Sequence, residues 1–214
     1  TEKKKMIEKA FNFADINLSN GDLAASYKGV KWIDNAIDCN ECKPIPKEEI
    51  PGEFRLKETE NLRIYHSFGN SSIRGDVKGT RQITEAVQRL KEEGYKVEFI
   101  FFDNVSNKDI KYFQAQADIV VDQLKAGWYG STAMECLAMG KPVITYIRPE
   151  VAKIVPHEHP LIYADEENLY DVLKDLILNP EKIKTVGAKS REYSLKYHHY
   201  TNIAKELSNI YQQL

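Results

Sequence analysis

The sequence predicts an α/β fold: a Rossmann-like, doubly wound parallel sheet with helices on both faces, arranged in three layers. Short β-branched runs such as Ile119 to Val121 are too short for helices and apolar at every position, which is typical of strands buried on both faces. Amphipathic helical patterns alternate with these runs from Leu62 onwards in the order β-α-β-α-β-α-β. Such alternation indicates parallel strands joined by right-handed crossovers, which place helices on both sides of the sheet.

The residues before this alternation predict a separate arrangement. Residues 1–12 carry apolar positions at helical spacing, and two strand-like runs follow, Ala14 to Leu18 and Val30 to Ile33. Between the two runs, turn residues precede a short helix from Asp22 to Tyr27. A stretch rich in Cys, Pro and Glu then ends near Phe54 and predicts a linker.

Strands and helices after the linker are each defined by their apolar period and by the turn residues at their ends. The predicted strands are Leu62 to Phe68, Val97 to Phe102, Asp118 to Leu124, Val143 to Ile147 and Leu161 to Tyr163. The predicted helices are Thr80 to Gly94 with Thr80 as N-cap, Ser106 to Ala117, Ser131 to Gly140, Asp165 to Asn179, and a tail over 180–214 that breaks near Tyr197 to Thr201.

Composition bounds the class of protein. The 214 residues are 42% hydrophobic and 29% charged, enough to bury a core, and the formal net charge is −2. A nucleic-acid binder normally presents a basic field, so nucleic acid is disfavoured as a partner. Because no run approaches 18 apolar residues and the start lacks the apolar segment of a signal peptide, we expect a cytoplasmic chain.

The three cysteines predict no metal or redox site. Cys39 and Cys42 form a lone C-x2-C, and Cys136 lies in the central predicted helix. A structural zinc site needs two further ligands at matching spacing, and a redox pair belongs at a helix start in a thioredoxin-like unit. We therefore expect reduced thiols, and neither a metal nor a cofactor.

The candidate site centres on the β-loop-α-β unit around residues 118–147. Gly127 and Gly130 supply the turn after the strand, and the helix that follows presents backbone N–H groups towards an anion. The expected donors are the N–H groups of Gly130, Ser131 and Thr132. Glu135 is the only acid of this helix and is either a ligand group or a carboxylate that compensates the helix dipole.

The run GWYGSTAMECLAMGKPVI, residues 127–144, resembles the signature of family-four glycosyltransferases of the GT-B fold. That signature is a Glu-x7-Glu stretch passing through a Gly-aromatic-Gly turn into a helix and a Gly-x-Pro-Val-Ile strand. Glu135 matches the second Glu, which the resemblance implies binds the ribose of the donor. Gly127 stands at the position of the first Glu. The resemblance implies that this Glu contacts the transferred sugar, so that contact has no carboxylate here.

A second group of candidate site residues lies in the Gly- and Ser-rich loop of residues 69–79, before the first helix of the sheet domain. Lys78-Gly79 matches the Lys-Gly that binds the diphosphate in the family, and Arg74 is a weaker match for its Arg. Gly69 opens this loop and is included in the predicted donor site. The alternative for Lys78 is a solvated loop lysine.

Two further residues are expected at the same carboxyl edge of the sheet. Asn104 follows the strand that ends at Phe102, where the resemblance implies the base is bound. Gln123 follows the central strand, and it is interpreted as structural or, in the alternative, as a donor contact. Both are retained as candidate substrate-binding residues, whereas no catalytic residue is assigned.

The resemblance implies one half of a GT-B fold: residues 1–55 as the end of an N-terminal domain with the interdomain linker, and residues 56–214 as the nucleotide-sugar-binding domain. It implies sugar transfer from a nucleoside diphosphate sugar with retention of configuration, without metal, in polysaccharide or glycolipid biosynthesis. The acceptor site belongs to an absent N-terminal domain, through which any peripheral membrane contact runs. We therefore expect the 214 residues alone to be inactive in transfer.

Two other functions are weighed against this one. A non-catalytic nucleotide-binding or regulatory module of the same fold is compatible with Gly127 in place of the first Glu. A dinucleotide-dependent oxidoreductase requires a Gly-x-Gly-x-x-Gly run after the first strand, which Gly69, Gly75 and Gly79 do not form. The donor nucleotide, the sugar and the acceptor are not specified by the sequence.

Overall fold

The computed structural model describes residues 2–67, 76, 78–102 and 105–214. Its centre is a sheet of five strands: β3 (Leu62–Ser67), β4 (Val97–Phe102), β5 (Ile119–Val121), β6 (Val143–Thr145) and β7 (Ile162–Tyr163). Every neighbouring pair is parallel, and the strand order is β4-β3-β5-β6-β7. The α/β class and the parallel sheet predicted from the sequence are confirmed.

Helices connect these strands and cover both faces of the sheet. Those of the sheet domain are α3 (Thr80–Glu92), α4 (Ile110–Ala115), α5 (Ser131–Ala138), α6 (Pro149–Ala152), α7 (Leu169–Leu178), α8 (Pro180–Tyr193) and α9 (Tyr200–Tyr211), with a π-helical segment (Ser194–His198) between the last two. The predicted break in the tail near residue 197 is this segment.

The sheet separates two apolar cores, and alternation along β5 shows how. Ile119 and Val121 join the core formed with α3 and α7, whereas Val120 joins the core formed with α5. All three side chains are fully buried. Burial of a Val or Ile side chain contributes about 1.5–3 kcal/mol, so this short strand stabilises both layers.

The N-terminal residues form a small parallel pair of strands. Helix α1 (Glu2–Phe13) leads to β1 (Asn17–Ser19), and α2 (Gly21–Ser26) crosses to β2 (Val30–Trp32). The first strand begins later than predicted because the N–H of Ala14 still donates to the Ala10 carbonyl, 3.0 Å away, in the last turn of α1. The two predicted strand-like runs therefore pair with each other.

The predicted linker is packed tightly against the sheet domain. Nη1 of Arg191 donates to the carbonyl oxygens of Cys39 (3.0 Å), Cys42 (3.0 Å) and Ala138 (2.6 Å). Cys39 and Ile50 are buried, and all three cysteines are free thiols. A single guanidinium thus fixes the segment between β2 and β3, called the connector below (residues 33–61), to the end of α5.

In the part of the chain that the structure describes, no helix has both the length and the apolar character needed to span a membrane.

Helix α8 crosses the turn after α5 at very short range. A Cβ added to Gly187 would lie 2.5 Å from the carbonyl oxygen of Gly140, and this oxygen belongs to the backbone of a turn with φ +74. We expect Gly187→Ala to lower the free energy of unfolding by about 1–3 kcal/mol, because the overpacking outweighs the better helix propensity of Ala. Urea denaturation measures the change.

The matched control is Gly52→Ala, because a Cβ at residue 52 meets nothing within 4 Å. If the two variants had equal free energies of unfolding, α8 would be able to shift at little energetic cost. The close packing of α8 on the turn would then not contribute to stability.

Candidate functional site

Polar side chains from four parts of the chain meet at the carboxyl edge of β3 and β5. Ser67 is the last residue of β3, and Asp122 directly follows β5. Thr132 lies in the first turn of α5, and Lys78 precedes α3 by two residues. In a doubly wound sheet this edge is where ligands bind, because strand-to-helix loops from neighbouring strands converge there.

Asp122 is the buried centre of this group. Its side chain is 0% exposed; Oδ2 accepts the N–H of Gly130 at 2.8 Å and Oδ1 lies 3.4 Å from Nζ of Lys78. A carboxylate removed from water requires such partners. The N–H of Gly130, expected to bind an anion, is therefore already engaged by the protein, and that expectation is corrected.

Lys78 reaches into the site from the α3 side. Its side chain is 17% exposed, and Nζ lies 3.5 Å from Oγ of Ser67 as well as near Asp122. The Lys78 carbonyl accepts the N–H of Leu124 at 3.0 Å, and Gly79 with φ +75 packs on the Leu124 side chain. The lysine is thus held at the mouth of the strand-to-helix loop, where the sequence predicted it.

The start of α3 is fixed in a way that the sequence did not indicate. Thr80 is the first helical residue instead of the predicted N-cap, and its N–H donates to Oδ1 of Asp76 at 2.7 Å. Its hydroxyl lies 3.0 Å from Nε2 of His66, whose Nδ1 lies 2.8 Å from the Val121 carbonyl. Since a carbonyl only accepts, Nδ1 carries the proton and Nε2 accepts from Thr80.

Glu135 lies one turn beyond Thr132 on α5 and is oriented by a neighbouring helix. Its Oε2 accepts the side-chain N–H of Gln114 at 2.8 Å, and Gln114 is buried in α4. Burial raises the pKa of Tyr65 above its ordinary value, and the nearby Glu135 carboxylate adds to this rise. The carboxylate is thus turned towards α4, three residues after Thr132 on α5.

Of the other predicted residues, some lie at this cluster and others do not. Oγ1 of Thr132 lies 3.4 Å from Oγ of Ser67, so Thr132 joins the cluster, and Ser131 is exposed beside it. The side-chain amide of Gln123 donates to the Trp128 carbonyl and so supports the loop of residues 124–130, called the glycine loop below. Gly69, Arg74 and Asn104 lie outside the described residues.

Gly127 could not be replaced by a larger residue without displacing its surroundings. Its φ is +85, and an added Cβ would overlap the side chain of Arg148. Arg148 donates to the Ala126 carbonyl at 2.9 Å and pairs with Asp22 of α2. The space beside Gly127 is therefore filled by a cation that is tied to the N-terminal segment.

Sequence reasoning missed Ser67, Asp122 and His66. Ser67 is the last residue of an apolar strand, and Asp122 directly follows another. A polar residue at the carboxyl end of a strand is the signal that could have identified both. His66 gave no such signal, because its role depends on the neighbouring strand. Across residues 2–67, 76, 78–102 and 105–214, no group of three or more His, Cys, Asp or Glu side chains is placed to hold a metal ion.

Comparisons with known proteins identify relatives of the chain. The family model "Glycosyl transferases group 1" matches residues 72–193. The comparison with curated proteins found no match. Three solved structures illustrate the fold similarity.

HepE from Anabaena, in complex with UDP and glucose, is 16% identical with a TM-score of 0.68, over 96% of this chain and 65% of that one. Sucrose-phosphate synthase from Thermosynechococcus elongatus is 16% identical with a TM-score of 0.70, over 100% of this chain and 62% of that one. The C-terminal domain of the group 1 glycosyl transferase LpcC from Francisella tularensis is 16% identical with a TM-score of 0.54, over 76% of this chain and 99% of that one. The chain thus spans less than two thirds of the first two proteins.

The ion pair of Lys78 and Asp122 gives a stability prediction. We expect Lys78→Met to lower the free energy of unfolding by about 3 kcal/mol, because it leaves a buried carboxylate without its cation. The double variant Lys78→Met with Asp122→Asn should recover most of this loss, since no buried charge remains. Urea denaturation of the variants measures both effects.

Lys91→Met is the control, because Lys91 is exposed near the other end of α3. If Lys78→Met were no more destabilised than this control, Lys78 would not compensate the charge of Asp122.

Burial of His66 gives a pH prediction. Desolvation lowers the pKa of His66 from 6.5 to about 4. Between these values the unfolded chain binds a proton that the folded protein does not, so the free energy of unfolding falls as the pH drops, by up to about 3 kcal/mol at pH 4. We expect His66→Asn, which cannot titrate, to lose less stability than the wild type between pH 7 and 5, measured by urea denaturation.

Other buried histidines and the carboxylates titrate in both proteins, so only the difference between the two curves reports His66. Curves that fall in parallel would contradict a neutral, buried His66.

Proposed function

Because this chain belongs to the glycosyl transferases group 1 family, we propose that it binds a nucleoside diphosphate sugar as the donor half of a glycosyltransferase. It forms the C-terminal half of a GT-B fold, with the α/β architecture of that half. In this proposal residues 56–214 are the donor-binding domain, and residues 1–55 are the end of a first domain with its linker.

One observation supports the donor site above all: a cation and two hydroxyl groups meet in front of a helix N-terminus. Oγ of Ser67 lies 3.5 Å from Nζ of Lys78 and 3.4 Å from Oγ1 of Thr132. The N–H groups of Ser131 and Thr132 lie in the first turn of α5, where a helix offers them no internal acceptor. Positive charge and free donors at one point suit a diphosphate.

Lys78 in this proposal serves both Asp122 and the diphosphate. Its 3.4 Å separation from Oδ1 of Asp122 is longer than a strong charge-assisted hydrogen bond, so the ammonium group retains capacity for a phosphate oxygen. In transfer, the negative charge that develops on the leaving diphosphate would be stabilised by this ammonium group and by the helix N–H groups, in place of a metal ion.

Glu135 is proposed to bind the ribose. Gln114 holds Oε2, and no hydrogen bond of the described residues uses Oε1, which leaves it for a hydroxyl group. A carboxylate only accepts, so it pairs with the hydroxyl donors of a ribose. Thr132 and Glu135 are three residues apart on α5, which places the proposed phosphate and ribose contacts one helical turn apart.

The acceptor is proposed to bind on a preceding domain, with transfer in the cleft between the domains and with retention of configuration. The 214 residues then bind the nucleotide but transfer no sugar alone, because transfer requires the two substrates to be held in contact. Since the related HepE was solved with UDP and glucose, UDP is the first nucleotide to test.

A non-catalytic nucleotide-binding module of the same fold is the second candidate. Gly127 favours it, because the position at which the resembling signature carries its first Glu has no side chain and is packed against Arg148. Sugar transfer by the chain joined to a preceding domain would exclude this candidate, whereas nucleotide binding without transfer would support it.

Substitution of Lys78 tests the proposed diphosphate contact. A charge-assisted hydrogen bond contributes about 1.5–3 kcal/mol, so Lys78→Met should weaken UDP binding by about tenfold to a hundredfold. Uridine binding should change much less, because uridine has no phosphate. Isothermal titration calorimetry at a temperature at which the variant stays folded measures both affinities.

Lys91→Met controls for the loss of a lysine, because Lys91 lies in α3 far from the site, and it should leave both affinities unchanged. Equal losses for UDP and uridine would instead assign Lys78 a structural role.

A further inference from the structure

A buried tyrosine and a buried histidine connect the glycine loop of the site to the connector. Tyr129, 5% exposed, lies between Trp128 and Gly130 in that loop, and its hydroxyl oxygen is 3.0 Å from Nε2 of His198. His198 is 1% exposed and is the last residue of the π-helical segment. Its Nδ1 lies 2.9 Å from the carbonyl oxygen of Asn35 in the connector.

The direction of both hydrogen bonds follows from which of these groups can donate a proton. The carbonyl of Asn35 only accepts, so Nδ1 of His198 carries the proton and donates. Nε2 of the neutral ring then accepts the hydroxyl proton of Tyr129. Burial lowers the pKa of His198 and raises the pKa of Tyr129, and both changes favour the neutral forms that this pair requires.

His198 is held in place by its own backbone as well. Its carbonyl accepts the N–H of Ile37 at 2.8 Å, and the Ile37 carbonyl accepts the N–H of Tyr200 at 3.0 Å. The N–H of His199 donates back to Ser194 at 2.9 Å, across the π-helical segment. π-helical turns recur at functional positions because they displace one side chain from the regular helical path.

From Tyr129 the contacts continue directly into the candidate site. The N–H of the next residue, Gly130, donates to Asp122, and Asp122 pairs with Lys78. On the other side, the Trp128 carbonyl accepts the side-chain amide of Gln123. Tyr129 is therefore flanked by two backbone contacts that define the position of the glycine loop.

We propose that His198 is a positioning residue: by accepting the Tyr129 hydroxyl, it fixes the glycine loop relative to the connector. The position of the glycine loop can be measured in the absence of any ligand. Its effect on affinity rests on the proposed function, namely the binding of a nucleoside diphosphate.

Variants can separate the two ring nitrogens of His198. His198→Gln places an oxygen near the position of Nε2, which keeps an acceptor for Tyr129 but loses the donor to Asn35, whereas His198→Asn keeps a donor near Nδ1 and loses that acceptor. Both variants keep the backbone bond of residue 198 with Ile37. Tyr129→Phe removes the hydroxyl itself. The matched control is Tyr163→Phe, because Tyr163 also contacts a histidine, His159 at 3.3 Å, in a pair that does not include the glycine loop.

The first readout is hydrogen exchange of the Gly130 amide, measured by NMR without ligand. We expect Tyr129→Phe and His198→Asn to speed exchange at Gly130 by about threefold to tenfold, as for the loss of one hydrogen bond. His198→Gln should restore most of the protection, and Tyr163→Phe should leave it unchanged. The second readout, UDP affinity by calorimetry, should fall by about the same factors in the same order.

Two results would overturn the positioning role. One is equal exchange at Gly130 in Tyr129→Phe and Tyr163→Phe; the other is a loss of protection in His198→Gln as large as in His198→Asn, which would assign the effect to packing of the ring. A wild-type chain that binds no UDP would refute the proposed function, and the exchange data would still decide the role of His198.

Discussion

A single buried carboxylate constrains the whole candidate site. Removing Asp122 from water carries a desolvation penalty of several kcal/mol, so the fold must supply partners for both of its oxygens. Those partners are the N–H of Gly130 and the ammonium group of Lys78, which come from different loops. The requirement to neutralise one side chain therefore brings the start of α5 and the loop before α3 to the same end of β5.

The strands and helices of the sheet domain could be predicted because their apolar residues recur at clearly different intervals. Three consecutive apolar residues at 119–121 indicated a two-faced strand, and Gly140 with Pro142 marked the end of the helix. The site was only partly predictable. The pattern predicted Lys78 at the carboxyl edge of the sheet, but it could not show that Asp122 would turn inward and occupy the N–H of Gly130, because side-chain direction after a strand depends on tertiary contacts.

The packing of the connector could not be predicted, for a related reason. Its Cys, Pro and Glu content is typical of a linker, and the composition contains no sign of the distant Arg191, which binds two carbonyl groups of the connector and one at the end of α5. The glycine loop is similar: Gly127 identifies a turn, whereas its close packing on Arg148 depends on a residue from the next strand-to-helix connection. Local pattern predicts elements, and long-range polar contacts decide how they are joined.

The bond between Asn35 and His198 joins residues 163 positions apart, and the contacts of Arg191 with Cys39 span 152. A ribosome that adds about 5–20 residues per second needs roughly 8–30 s to synthesise such an interval. Throughout that time the connector has none of these partners, and the buried thiol of Cys39 lacks the helix that covers it. The connector thus leaves the ribosome well before the residues that complete its native contacts, and until then it depends on other interactions to stay soluble.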